Sequence, residues 1–257
     1  MKKLILLALA ALMLFSVSCS GGSQVDEIKK RDVLRVGVKV DVPNFGYLNP
    51  DSGETEGMEV DVAKALAKSI LGDETKIKLV PLSAQTRGPL LDNGEIDLVI
   101  ATFTITEERK KSFNFSDPYY VDEIGFLVRN DLASSKIADL GGKKIGVVEG
   151  GTAKDALDEK CKELGVEMNF VDFASYPEIK DALATGQIDA FVADKSILSG
   201  YLDEETNILK EGFKPQEYGI AAKLENTQLA EYINTQLKAM KDDGSLNDIL
   251  KKWNLAE

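Results

Sequence analysis

A chain of 257 residues with 43 acidic and 31 basic side chains, and a formal charge of -12, is not built to hold nucleic acid by its net field, although one local basic pocket can still take a small anion. The absence of histidine excludes His-based triads, imidazole proton shuttles and His-ligated zinc. With only Cys19 and Cys161, a disulfide scaffold is not expected even in an exported protein.

Lys2 and Lys3 precede an apolar run, Leu4–Phe15, too short to span a bilayer comfortably. Ser16-Val17-Ser18-Cys19 closes it, with a small residue before a cysteine as at a lipoprotein cleavage site; Ser16 stands where such sites usually carry Leu. Cleavage there leaves 239 residues at a charge of -14, enough for two modest lobes or one large domain. Lipid on Cys19 leaves Cys161 a buried or half-buried thiol.

Val25–Arg31 reads as a short amphipathic helix or turn and Val33–Val40 as a first strand, with Leu34, Val36 and Val38 on one face. Asp41–Tyr47 is a loop at that strand's carboxyl end, where α/β sheets bind ligands, and Asn49–Gly57 is rich in turn residues. Met58, Val62, Leu66 and Ile70 recur every four residues and predict a helix over 58–71, stopped by Gly72. Lys76–Pro81 is a strand, Thr86–Asp92 a short helix and Ile96–Ile105 a third strand. Thr106 then suits a helix N-cap, and Glu107 and Glu108 suit its first turn. Arg109 does not: its charge opposes the helix dipole unless an anion lies between it and the free N–H groups. The plainer reading is a solvated arginine in a charged turn.

Tyr119–Arg129 is extended, Asp131–Gly142 is a loop, and the same grammar then starts again. Lys144–Val148 is a strand, Glu149–Thr152 a tight loop, Ala153–Leu164 a helix and Val166–Phe170 a strand. Ser175–Ala184 is a helix with a capping-box spacing, Ser175 to Glu178. Gln187–Ala193 is a strand, followed by a helix from Asp194 to Leu202, and Asn207–Leu209 and Gln216–Ala222 are extended. Asn226–Lys241 and Ser245–Trp253 are terminal helices. A βαβαβ pattern thus occurs twice, and each copy carries Ile-Asp at the start of its last strand: Ile96-Asp97 and Ile188-Asp189. Two units joined by extended runs near 119–128 and 212–222 suggest two lobes facing across a cleft; one continuous sheet is the alternative.

Lys39, Arg87 and Arg109 sit where strands end or helices begin. Gly151-Thr152 offers backbone N–H groups and a hydroxyl, and Asp194 offers a carboxylate to an ammonium. Together they describe a pocket for a small zwitterion with surplus negative charge. Each alone is as well explained as a surface cap. No Walker spacing, nucleophile elbow or metal-ligand cluster accompanies them.

The stretches TITEERKK (Thr104–Lys111) and FSDPYY (Phe115–Tyr120), with Gly57–Val62, Gly150–Thr152, Gln216–Ile220 and Asn247–Trp253, resemble the extracytoplasmic solute-binding proteins of polar amino acid ABC transporters. Met58 departs from the usual Phe. Val36–Pro43, Thr86–Gly94 and Ile188–Leu198 are most similar to the aspartate/glutamate-binding members. The resemblance implies an α/β, two-lobed periplasmic-binding-protein fold with two hinge crossings. It implies a signal peptide over 1–18, a lipidated Cys19 and tether over 19–31, lobe one at 32–122 and 218–257, and lobe two at 123–217. It implies Arg109 on the α-carboxylate, Asp194 on the α-ammonium, and Thr104, Thr106, Gly151 and Thr152 holding the ligand. Lys39 and Arg87 would meet a side-chain carboxylate, and Phe103 or Phe45 would cover the ligand. The implied protein is an extracytoplasmic, lipid-anchored monomer that binds L-aspartate or L-glutamate, needs no cofactor, and closes by hinge bending before delivery to a permease. Binding of glutamine, a surface adhesion or sensory role, and a dehydratase-like enzyme on the same fold are the alternatives.

Overall fold

A computed structural model of the protein describes residues 23–132 and 136–256. The stretch expected to be a signal peptide and Cys19, the expected lipidation site, lie outside the described residues.

Helix α1 (Gln24–Arg31) starts on a reciprocal cap: the Ser23 hydroxyl accepts from the Asp26 N–H, and the Asp26 carboxylate accepts from the Ser23 N–H. Strand β1 (Leu34–Val38) follows. The stretch expected to be loop and turns is instead a small antiparallel meander, β2 (Asp41–Val42), β3 (Gly46–Leu48) and β4 (Thr55–Glu56). Its strands are too short to show a period of two in the sequence. Helix α2 (Met58–Leu71) has the predicted bounds; it buries Met58, Val62, Leu66 and Ile70 and ends on Gly72 at φ 76°. Strand β5 (Ile77–Pro81) and helix α3 (Arg87–Asp92) lead to β6 (Leu98–Val99), much shorter than the ten-residue strand expected. The left-handed backbone of Thr102, φ 43°, ends the ladder, and the chain pairs again only at Thr104, opposite Tyr218. Arg109–Lys111 forms one 3-10 turn rather than an α-helix, and β7 (Phe113–Phe115) closes this half.

The second half begins with β8 (Tyr120–Arg129), β9 (Lys144–Val148) and α4 (Ala153–Leu164). Strand β10 runs over Asn169–Phe173, three residues later than expected, because Val166 and Met168 pack on the core from the connection instead of entering the ladder. Helix α5 (Tyr176–Ala184) takes no cap from the Ser175 side chain. Glu178 accepts instead from the Ala174 N–H, one residue earlier than a capping box requires. Strand β11 (Ala190–Asp194), helix α6 (Lys195–Ser199), and strands β12 (Thr206–Ile208) and β13 (Phe213–Tyr218) complete it. Gly219 splits the expected 216–222 run, and β14 (Ala221–Lys223), α7 (Thr227–Asp242) and α8 (Ser245–Lys252) return to the first half.

The strands form two main sheets, ordered β5-β1-β6-β14-β7 and β10-β9-β11-β8-β12, with β13 antiparallel to β8. β1 and β9 each pair in parallel with both neighbours. The protein is therefore two-lobed. The chain passes between lobes at Tyr119-Tyr120 and again at Tyr218-Gly219, where Tyr120 and Tyr218 are paired.

The repeated Ile-Asp has one physical cause. Asp97 accepts from the Arg35 N–H at 2.8 Å while its own N–H donates to the Arg35 carbonyl at 2.9 Å. Asp189 makes the same exchange with Lys144, at 2.9 and 2.8 Å. The two aspartates pin the start of β1 to the start of β6 and the start of β9 to the start of β11.

Candidate ligand-binding cleft

The strand ends that sequence reasoning singled out converge between the lobes. One cleft is lined by Arg87, Thr102 and Thr104 from the first lobe and by Gly151, Thr152, Tyr176 and Asp194 from the second. A broader mouth beside it is lined by Thr104, Thr106, Arg109, Thr152 and Gln216. Apart from Gln216, within β13, they follow the carboxyl ends of strands or sit at helix starts, where backbone polar groups are left over.

Arg87 is buried at the start of α3. Its Nη1 donates to the carbonyls of Ala101 (3.0 Å) and Thr102 (3.1 Å), and its Nη2 crosses to the Gly150 carbonyl (3.2 Å). The Thr102 turn presents those two carbonyls, so the kink that ends β6 also seats Arg87. Arg109 has its N–H on the Thr106 hydroxyl (3.1 Å), its Nη1 on the Thr104 carbonyl (2.8 Å) and its Nη2 on the same Gly150 carbonyl (3.1 Å). Thr106 thus caps the turn that carries Arg109. The Phe103 ring supports both guanidiniums, with Cζ atoms 4.2 and 4.6 Å from its centroid. Burial and then the neighbouring Arg87 charge pull Arg109 down to about 9, against the pull of Asp194. It stays cationic at neutral pH.

Asp194 ends β11 and is buried; its Oδ2 accepts from the Tyr218 hydroxyl at 2.5 Å. Burial pushes its carboxyl up to about 7, against the Tyr218 bond and the two arginines. The Thr152 hydroxyl precedes α4 and donates to Gln216 Oε1 at 2.7 Å. Gly150 must be glycine: its φ is 75°, and a Cβ would lie 2.8 Å from the Ala84 carbonyl oxygen of the opposite lobe.

Lys39 is 1% exposed and does not face a bare anion site. Its Nζ stands 2.9 Å from Asp41 Oδ1 and 5.1 Å over the Tyr176 ring. Phe45 covers nothing in the cleft: it is fully buried against Tyr120 and Tyr218, with ring centroids 5.2 and 5.9 Å away. Phe103 lies beneath the arginines rather than over a ligand. Sequence reasoning missed Asp41, Glu59, Tyr176, Gly150 and Tyr218 as participants. Glu59 looks like an ordinary first-turn acid, yet it is fully buried, accepts from the Thr102 N–H and the Tyr119 hydroxyl at 2.5 Å each, and is raised by burial to about 7. Asp41 was legible in principle, two residues from Lys39 in an extended run and so on the same side.

Residues 34–139 and 143–256 match the bacterial extracellular solute-binding proteins, family 3. The chain belongs to that family. This family-3 protein is 43% identical over 229 residues, 88% of its length and 82% of the relative's, to the ABC transporter glutamine-binding protein GlnH of Bacillus subtilis. It is 41% identical to a glutamine-binding protein of Geobacillus stearothermophilus, over 79% of this chain and 77% of that one. Among solved structures it is similar to an ancestral arginine-binding protein bound to arginine, with a TM-score of 0.78 and 36% identity over 87% of this chain and 98% of that one. Among the described residues no helix is long and apolar enough to cross a membrane, and no three His, Cys, Asp or Glu side chains could together hold a metal ion.

Proposed function

We propose that this protein binds L-glutamine between its lobes outside the cytoplasm and delivers it to an ABC-type permease. The observation that carries the choice of side chain is the Lys39–Asp41 pair. The surplus positive charge expected from sequence supposed Lys39 to be unmatched. With Asp41 beside it, Lys39, Arg87 and Arg109 face Asp41, Asp194 and Glu59, which suits a ligand of no net charge. The glutamine-binding relatives support the same reading.

In this reading the ligand's α-carboxylate takes the place of the Gly150 carbonyl as partner of Arg109, a stronger charge-assisted bond. The Thr152 backbone N–H, just before α4, adds to it. Asp194, ionised, takes the α-ammonium. Arg87 donates to the side-chain carbonyl oxygen, and its buried Nε, which has no hydrogen-bond partner, supplies the extra donor. The lobes close over the ligand, and the closed pair is what the permease reads. Cys19 would hold the protein to the membrane by its lipid, as a monomer. No bond is made or broken in this scheme.

A second reading, L-aspartate or L-glutamate, is favoured by one observation: Arg87 has only backbone carbonyls as hydrogen-bond acceptors and no carboxylate. The deciding experiment is calorimetric titration of residues 20–257, unfolded and refolded to strip carried-over ligand, with glutamine, glutamate, aspartate and arginine. One-to-one binding tightest for glutamine is expected. Tighter binding of glutamate or aspartate overturns the choice of side chain, and silence from all four overturns the amino acid reading.

A further inference from the structure

We infer that Asp41 sets the charge specificity of the cleft by neutralising Lys39, so that the site takes an uncharged side chain where the same scaffold without this carboxylate would take an acidic one. The inference rests on the amino acid reading above and adds the residue that decides the side-chain class.

Lys39 follows β1 at the carboxyl end of the first-lobe sheet, and its side chain is 1% exposed. Such a lysine needs a counter-charge. Among the described residues one carboxylate touches it: Asp41 Oδ1 at 2.9 Å, an oxygen with no hydrogen-bond partner besides this cation. Burial pulls the Lys39 ammonium down, and Asp41 is the largest influence holding it up. The pair does not itself line the cleft and meets it through Tyr176. Lys39 stands over the face of Tyr176, which lines the cleft beside Arg87 and Asp194, and the Asp41 backbone carbonyl accepts from the Tyr201 hydroxyl of the opposite lobe. Asp41 therefore stays in place when the lobes meet. The backbone around it is fixed as well: β3 passes so close to Lys39 that a Cβ on Gly46 would lie 2.5 Å from the Lys39 carbonyl oxygen. Neither partner can easily swing away, so the charge at this end is set by whether position 41 carries a carboxylate.

The test is the ratio of glutamine to glutamate affinity in the wild type, D41N, D41E and the double variant K39M/D41N, by calorimetry on residues 20–257 stripped of ligand. D41N keeps the shape and removes the charge; the expected result is a tenfold or greater shift of the ratio toward glutamate. D41E should keep the wild-type preference, and K39M/D41N should return the ratio to within about threefold of the wild type, because no cation is left to expose. A D41N protein that binds glutamine with an unshifted ratio overturns the inference. If D41N does not fold, K39M alone serves: removing the cation leaves Asp41 unpaired, and glutamate should lose at least tenfold more than glutamine, an equal loss for both overturning the proposal. The readout is a change in ratio. A wild type that prefers glutamate therefore overturns both the glutamine assignment and the claim that Asp41 selects an uncharged side chain, whereas a wild type that prefers glutamine with an unshifted D41N ratio overturns the role of Asp41 alone.

Discussion

Arg109 ties the two lobes together at the mouth of the cleft. It joins the Thr104 carbonyl, the Gly150 carbonyl and the Phe103 face, so its charge is aimed while its bonds remain exchangeable. Replacing it with Ala should cost at least 100-fold in ligand affinity by calorimetry, in line with the ~2–5 kcal/mol of a truncated buried charge partner. Asp194 gives a pH signature. Its folded carboxyl sits near 7 instead of in the usual carboxylate range, so the folded protein holds a proton that the unfolded chain releases. Stability from this group is full at low pH and lost as pH rises toward 7, and Glu59 acts in the same direction. The ammonium of a ligand needs the ionised form, so affinity should rise between pH 5.5 and 8, with about one proton released on binding near pH 6. D194N should bind weakly and lose most of that proton release; a full proton still released by D194N would mean that Glu59, not Asp194, is the coupled group.

At the scale of elements, the two Ile-Asp clamps perform one task in different surroundings. Asp97 is 2% exposed and carries ion pairs to Arg31 and Arg35 besides its backbone bonds, whereas Asp189 is half-buried and holds only Lys144. D97A should therefore cost about 3 kcal/mol and D189A about 1 kcal/mol in urea unfolding. Equal costs would mean that the strand clamp, not the ion pairs, sets the value. The elements themselves were legible where one helix face or one full strand had room to show its period: α2, α4 and β9 have the predicted bounds. They were not legible where a partner distant in sequence decides. The meander over 41–56 depends on Gly46 passing close to Lys39, the break in β6 on Thr102 turning to meet Glu59, and the delay of β10 on Val166 packing inward. The cleft followed the same division. Arg87, Arg109, Asp194 and the Gly151-Thr152 turn could be read from their places at strand ends. Tyr176 and Tyr218 could not, because the fold, not a local pattern, brings Lys39 to Tyr176 and both Asp194 and Phe45 to Tyr218.

For the whole molecule, the contacts between lobes decide how readily it closes. Gln85 to Glu149, Tyr201 to Asp41, and Arg87 and Arg109 to the Gly150 carbonyl are polar ones beside the cleft, and Gly150 packs against the Ala84 carbonyl. G150A carries the same backbone strain in open and closed forms, but its methyl group meets Ala84 only when the lobes are together. The variant should bind ligand at least tenfold more weakly while scattering as a more open particle at saturation; unchanged scattering with weak binding would place the defect in the loop alone.

The Gly150 carbonyl has a last consequence. It engages both arginines that the ligand must recruit, so the protein carries an internal competitor for its own ligand. Measured affinity is then a difference between two exchanges, not the strength of one, and is lowered by the fraction of molecules in which the arginines are already engaged. A tighter sensor could be built from this chain without improving any ligand contact, by making that self-engaged arrangement less comfortable.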